Sequence, residues 1–581
     1  MSSSNQERNR QPEGSGGRGA TERGRRTGVL QGAAVLGGAV IISKVLGTLQ
    51  KIPLQNLAGD RVFGIYNAVY PFYQLLLIMA TAGLPVAISL LVAEQAATGN
   101  KLAVRRIVSA SALLLGLTGA AGFFLMWSCS TLAAGWIGDE AAGSAIRASA
   151  LALWVVPLLA ALRGYYQGLG RMLPAALSQL SEQTVRVAAM LTLLLIGWHF
   201  GWSDERLAAG ATAGSLFGGL AGLMMMGAVV WRDSRRIHVQ PFASVTSKKP
   251  YVTLTQAKGR TSDPPAIQTP RYAILMKRII RVAVPVTLGA LVVPMLGVVD
   301  SFTVPRLLSE EGRNAAEAMR QFGLYSRGQP LVQLVVMVAG AVGSALVPAM
   351  VAARVRGDAG AARDQAALAM RGAWWLGAAA AMGLALLAAP INHMLYNDEA
   401  GSVTFALIGV SALFGTVNAI ASSVLQGLGA VRAPALFMVA AAALKAVLNV
   451  ALVPALGING AACAGIAALG CAALLGAAAV RRESAAVLPA AQAAGLVLAL
   501  AVMAAALLII ERGGAPLLDA LLPPRTAATA LALGGTALGA ALFLAAGLRF
   551  GGLTARDLRA LPGGASLAAR FMRWRLLPPG E

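Results

Sequence analysis

The sequence predicts an all-α integral membrane protein of about fourteen transmembrane helices, built as two pseudo-symmetric six-helix bundles in parallel repeat plus two C-terminal helices. Three observations carry this expectation. Apolar runs close to bilayer length recur along all 581 residues, Lys and Arg alternate between successive connecting segments, and short motifs repeat at one fixed offset. The composition is 57% hydrophobic and only 13% charged, whereas soluble domains carry about 25% charged residues.

A bilayer core needs about 20 apolar residues per helix. Six such segments fall at 29–49, 66–92, 107–125, 146–162, 175–196 and 207–230. A second six follow at 279–299, 331–351, 373–389, 403–425, 434–453 and 458–480, and two more at 487–510 and 527–548. The expected divisions are a disordered basic tail (1–28), an N-terminal bundle (29–231), a polar linker (232–276), a C-terminal bundle (277–480), an extra helix pair (481–548) and a basic tail (549–581). With both termini in the cytoplasm, most of the 48 Lys and Arg fall on cytoplasmic segments. The outer loops carry acids such as Asp139, Asp204, Glu310 and Asp398, as the positive-inside rule requires of a correct segmentation. The same interleaving of basic residues with long apolar runs speaks against nucleic acid as the partner of the +23 charge, because a nucleic-acid binder gathers its cations on one folded face. An anionic lipid surface suits it better, and the segment around Arg570, Arg573 and Trp574 is expected to rest on the cytoplasmic leaflet.

Phe63-Gly64-Ile65-Tyr66 recurs as Phe322-Gly323-Leu324-Tyr325, and Gln167-Gly168-Leu169-Gly170 recurs as Gln426-Gly427-Leu428-Gly429, both 259 residues later. Two matches at one offset imply an internal repeat. The offset also carries Arg186 onto Lys445. Copies separated by six helices share orientation, so the axis relating them lies along the membrane normal.

The cations placed within or at the lip of spans, Lys44, Arg186, Arg327 and Lys445, each cost roughly 2.5–3.5 kcal/mol at mid-bilayer and are functional by default. Lys44, Gly47, Thr48 and Lys51 share one helix face. The substrate-binding set is therefore expected to be Lys44, Arg327, Lys51, Arg186 and Lys445. Each has a blander alternative: snorkelling for Lys44 and Lys51, an outer-interface position for Arg327, and a bond to a neighbouring carbonyl for Lys445. Glu182 lies four residues before Arg186, which reads first as an ion pair and second as a proton-linked switch. Asp300 reads as solvated near the outside, with coupling to Na⁺ or H⁺ left open. Gly83 and Pro85 should kink the second helix and serve as a hinge. Cys129, Cys463 and Cys471 lack metal spacing, and His199, His238 and His393 are scattered, so no cofactor, metal or catalytic constellation is expected.

The stretch 32–94 resembles the signature region of the stage V sporulation protein B family, a polysaccharide biosynthesis flippase family of the multidrug/oligosaccharidyl-lipid/polysaccharide exporter superfamily that includes lipid II flippases. The residues that carry it are Ile42-Ser43-Lys44-Val45-Leu46-Gly47, Lys51-Ile52-Pro53, Gly59-Asp60, Gly64-Ile65-Tyr66 and Ala82-Gly83-Leu84-Pro85-Val86-Ala87-Ile88-Ser89 with Ala93-Glu94. The resemblance implies two bundles in a V, alternating access, and export of a polyprenyl-diphosphate-linked saccharide. It implies that Lys44 and Arg327 are cavity cations, whereas a basic pair expected in the second helix is replaced by Gln74-Leu75-Leu76. It also implies a lipid-linked oligosaccharide, membrane lipids and cell-wall synthesis proteins as partners, and no enzymatic activity. A cation-coupled drug exporter, a polyprenyl-phosphate enzyme and a non-transporting scaffold are the competing readings. The first needs acids facing the cavity and the second needs clustered Asp, Glu or His.

Overall fold

The structure is a computed structural model that describes residues 34–81, 83–237, 272–484 and 490–552, with 554, 555, 559 and 564–574. The expected 1–28 tail and most of the 232–276 linker lie outside the described residues. The N-terminal set comprises α1 (34–49), α2 (Lys51–Thr81), α3 (Leu84–Ala97), α4 (Lys101–Ser128), α5 (Ser130–Ile137), α6 (Ala142–Ala150), α7 (Val156–Gly168), α8 (Met172–His199) and α9 (Asp204–Ile237). The C-terminal set comprises α10 (Tyr272–Glu310), α11 (Ala315–Ser326), α12 (Gln329–Val355), α13 (Ala359–Leu386), α14 (Ala388–Tyr396), α15 (Ser402–Leu428), α16 (Ala433–Leu456) and α17 (Ile458–Ser484). Then come α18 (Ala490–Ile509), α19 (Ala515–Leu521), α20 (Pro524–Arg549) and a short α21 (Gly564–Arg573). Among the described residues there is no strand.

Among the described residues eleven helices are long and apolar enough to cross a membrane, or thirteen if each bent pair counts as one span. The sequence expectation was about fourteen. The difference arises largely because the first two expected segments lie in one helical run, Ala34–Ala97, of 64 residues. That run is about twice what one crossing needs and changes direction at Gly59, whose φ of 77° and ψ of 174° are not helical. A loop had been expected between the two segments, but Leu54, Val62 and Phe63 are fully buried, so packing holds the stretch in helical form. Large apolar side chains on the outer faces, such as Leu117, Phe124, Trp198 and Val447, remain exposed, as lipid contact requires.

The 259-residue repeat is written into the backbone. Gly170 and Gly429 both have positive φ, 73° and 93°. Each ends its helix with the same pair of bonds, Gly170 N–H to Gln167 O with Arg171 N–H to Tyr166 O, and Gly429 N–H to Gln426 O with Ala430 N–H to Leu425 O. Gly138 and Asn397, another pair at that offset, also share positive φ. α18 and α20 pack on α13 and α14 through Trp375, Leu387, Met503 and Phe543.

The two helix sets do not meet evenly along their length. The core that joins them takes from the C-terminal set Val304, Leu308, Met319, Phe322, Ile408, Val453 and Ala461, all in the turns nearest the acid-bearing loops. At the opposite, basic end the C-terminal core around Met350, Ala366, Val424 and Val480 contains no residue of the N-terminal set. There, among the described residues, α10 bridges through Leu275, Ile279 and Ala283 packed on α3. α10 reaches both partners because it bends by 50° between Leu291 and Pro294, the expected effect of a proline that cannot donate to the preceding turn. The sets therefore converge at the acid-rich end and diverge toward the basic end.

Candidate functional site

At the acid-rich end the two repeated Phe-Gly-x-Tyr motifs face each other across the seam between the sets. A Cβ on Gly64 would stand 2.2 Å from the Met319 carbonyl oxygen, and one on Gly323 would stand 2.0 Å from that of Asp60. Asp60 and Met319 are themselves 259 residues apart, so the contact is reciprocal about the repeat axis. Beside it Arg327, only 1% exposed, is held by Asp60 at 2.7 Å and by Asp398 at 2.6 Å. It also donates to Asn392 and lies over the Tyr396 ring. Asp60 belongs to the N-terminal set and Asp398 to the C-terminal set, so the guanidinium ties the two together. Burial alone would raise the Asp398 carboxyl, but the Arg327 bond, the Ala400 N–H and the nearby positive charge outweigh it and leave it below the ordinary carboxylate range. Arg327 thus departs from its expected place among the cavity cations. Two carboxylates satisfy it, and it lies enclosed at the acid-rich end of the seam.

A different pair of cations, buried Lys51 and half-buried Arg186, has no such partner among the described residues. The Lys51 ammonium donates to Asn67 Oδ1 at 2.8 Å, and the Arg186 guanidinium donates to the Tyr66 hydroxyl at 3.4 Å and lies over the Tyr70 ring. Gln50 Nε2 donates to the same Tyr66 hydroxyl, and Tyr66 stacks on Tyr70. Among the described residues no carboxylate forms an ion pair with Lys51 or Arg186. Two positive charges, three tyrosines at i, i+4 and i+7 (Tyr66, Tyr70, Tyr73) and several amides therefore converge where α1, α2 and α8 meet. The side-chain oxygen of Gln50 and the side-chain nitrogen of Gln183 are buried and unbonded there. Such a site offers donors and net positive charge, which suits an anion.

The remaining candidates divide. Glu182 does not pair with Arg186 as its spacing suggested. It binds Arg163 of α7 at 2.7 Å, because Arg186 turns to the tyrosines of α2. Asp300 is not solvated near the outside but buried, accepting from Lys445 at 2.6 Å, Tyr325 at 2.8 Å and Asn449 at 3.2 Å. Lys445 is correspondingly occupied by a carboxylate rather than by a backbone carbonyl or an open wall. Gly83 breaks the second span in the left-handed region, φ 76°, with Pro85 in the first turn of α3. A Cβ there would stand 2.3 Å from the Ala283 carbonyl oxygen of α10, so the break is also a close contact. Lys44 is exposed, two turns toward the basic end from buried Lys51, on the face that carries buried Thr48. Asp60, Asp398, Asn67, Gln50 and the three tyrosines were missing from the sequence-based set. The sequence marks Asp60 and Tyr66 through their motifs and Asp398 as an outer-loop acid, but assigns none of them a place in a site.

Comparison with known proteins follows the same lines. A family model described as polysaccharide biosynthesis protein matches residues 29–353. The chain is 31% identical over 553 residues to the uncharacterized membrane protein YabM of Bacillus subtilis (strain 168), covering 94% of this chain and 97% of that one. It is 26% identical to the lipid II flippase MurJ and 25% identical to stage V sporulation protein B of the same organism, in each case over 78% of this chain and 83% of the relative. Among solved structures, lipid II flippase MurJ in an inward closed conformation superposes with a TM-score of 0.58 at 12% identity, over 88% of this chain and 98% of that chain.

Proposed function

We propose, from the premise that this chain belongs to the polysaccharide biosynthesis protein family, that it is a flippase carrying a polyprenyl-diphosphate-linked saccharide across the cytoplasmic membrane by alternating access. The chain is a multi-pass membrane transporter rather than an enzyme. The cargo, its orientation and its site are our reading. The observation that carries it is that buried Lys51 and half-buried Arg186 have, among the described residues, no carboxylate to neutralise them. A charge so placed is costly unless something anionic visits it, and a diphosphate would accept charge-assisted hydrogen bonds from both cations. The tyrosine faces and hydroxyls beside them suit a sugar ring, while the prenyl tail stays in lipid. By the positive-inside rule the basic end is cytoplasmic, so the described state opens inward and is sealed outward by Gly64, Gly323 and Arg327. Gly83 and Pro85 then sit where α3 moves against α10. On the same reading both termini are cytoplasmic and cell-wall synthesis proteins supply or receive the cargo.

An organic-cation exporter would need a free acid in the cleft, yet Glu182 and Asp300 are both bound by cations. The test is movement of a fluorescent polyprenyl-diphosphate disaccharide in proteoliposomes, read by a glycan-modifying enzyme present on one side only. Translocation above protein-free vesicles is expected. None at any imposed potential would favour the scaffold reading.

Lys44 stands on this account at the mouth of the cleft, where it draws the anion inward. An exposed charge is screened by salt, so Lys44→Gln should slow transport by less than about tenfold, with the deficit shrinking at high ionic strength. Initial rates across a salt series check this.

A further inference from the structure

The repeat places two related sites in the molecule, and they differ in charge at two positions, with Lys51 set against Glu310 and an apolar residue against Asp300. Arg186 and Tyr66 of the N-terminal set map at 259 residues onto Lys445 and Tyr325 of the C-terminal set. The cation and phenol hydroxyl stand 3.4 Å apart in both. In the N-terminal set no carboxylate among the described residues pairs with the cation. In the C-terminal set the Asp300 carboxylate lies against Lys445 at 2.6 Å, with Tyr325 and Asn449 completing its bonds. The residue that the offset places opposite Asp300 is Ile41, an exposed apolar side chain of α1.

We infer that Asp300 is a built-in occupant of a second anion site: its carboxylate fills in the C-terminal set the place that a phosphate takes in the N-terminal set, so the protein loads one diphosphate-class anion, on the Lys51/Arg186 side alone. The inference rests on the reading of that side as an anion site. Its chemistry follows from the donors present. An ammonium, a phenol hydroxyl and an amide NH₂ converge on one carboxylate, and that donor set would serve a phosphate oxygen equally well. The sealed site also keeps Lys445 neutralised while the open site changes occupancy, so the net charge moving with the cargo is set by the N-terminal set.

Inorganic pyrophosphate titrated calorimetrically into the full-length purified protein in nanodiscs tests this. Wild type should bind one equivalent. Lys51→Gln combined with Arg186→Gln should weaken that binding by about tenfold to a hundredfold or more. Asp300→Asn, which frees Lys445, should add a second equivalent that disappears again in Asp300→Asn/Lys445→Met. That double variant removes the buried pair together and should keep the first equivalent unchanged. Retention of binding in Lys51→Gln/Arg186→Gln would overturn the reading of the N-terminal site. Two equivalents in wild type, no second equivalent in folded Asp300→Asn, or loss of the first in Asp300→Asn/Lys445→Met would overturn the sealed second site while leaving that reading in place. Should Asp300→Asn not fold, the wild-type stoichiometry and the double variant still decide.

Discussion

Gly323→Ala is expected to force open the acid-rich end. The added methyl would stand 2.0 Å from the Asp60 carbonyl oxygen and 2.8 Å from its carbon, both backbone atoms with no rotamer to yield. Overpacking a tight contact costs about 1–3 kcal/mol, and every 1.4 kcal/mol is about tenfold in population. The reciprocal Gly64→Ala, aimed at the Met319 carbonyl, should do the same. With Cys129, Cys463 and Cys471 replaced, a cysteine at fully buried Ala68, one turn along α2 from Gly64, reports the opening through a membrane-impermeant thiol reagent. Labelling should rise by about tenfold or more in either glycine variant. Equal labelling in all three proteins would mean that these glycines do not hold the seam.

The second large effect is expected at Arg327→Met. Removing the guanidinium leaves Asp60 and Asp398 facing each other across the seam with Asn392 and Tyr396 as remaining neighbours, and breaking a buried pair from one side costs about 3–5 kcal/mol. Thermal unfolding in detergent should fall by several degrees, and Asp60→Asn added to Arg327→Met should recover part of the loss because it removes an orphaned charge. A cargo ligand would behave differently, since neutralising Asp60 could not restore it. The same seam is pH-sensitive in a defined direction. Asp398 has a lowered folded-state pKa, so its contribution is present above the ordinary carboxylate range and lost as pH falls through the lowered value. Acidification should therefore increase labelling of the Ala68→Cys reporter in wild type and far less in Arg327→Met.

The helices were legible because a bilayer imposes a length on every apolar run, and the repeat was legible because Gly170 and Gly429 need positive φ and cannot easily be replaced. Gly64 and Gly323 were visible as a motif, but that the two copies touch follows only from the packing of α2 on α11. The site was less legible, for a reason that Arg327 illustrates. Its partner Asp60 is 267 residues away, and no local spacing announces a bond across two helix sets. Spacing even misled at Glu182. Four residues apart on one helix says that two groups can meet, and the outcome was decided by Arg163 on the neighbouring helix and by the tyrosines that hold Arg186. Asp300 and Lys445 were each singled out, yet only the bend of α10 toward α16 joins them. Lys51 and Lys445 are buried within the N-terminal and C-terminal sets respectively, and Arg327 is buried at the seam between them. Which of them lack acids depended on contacts that sequence order does not carry.

The most direct test is a cryo-EM structure of the protein in nanodiscs with a polyprenyl-diphosphate disaccharide bound. Phosphate density within hydrogen-bond reach of both Lys51 Nζ and the Arg186 guanidinium, with Arg327 still between Asp60 and Asp398, is the arrangement expected. Phosphates seated against Lys445 or Arg327, or a head group with no cation beside it, would contradict the account.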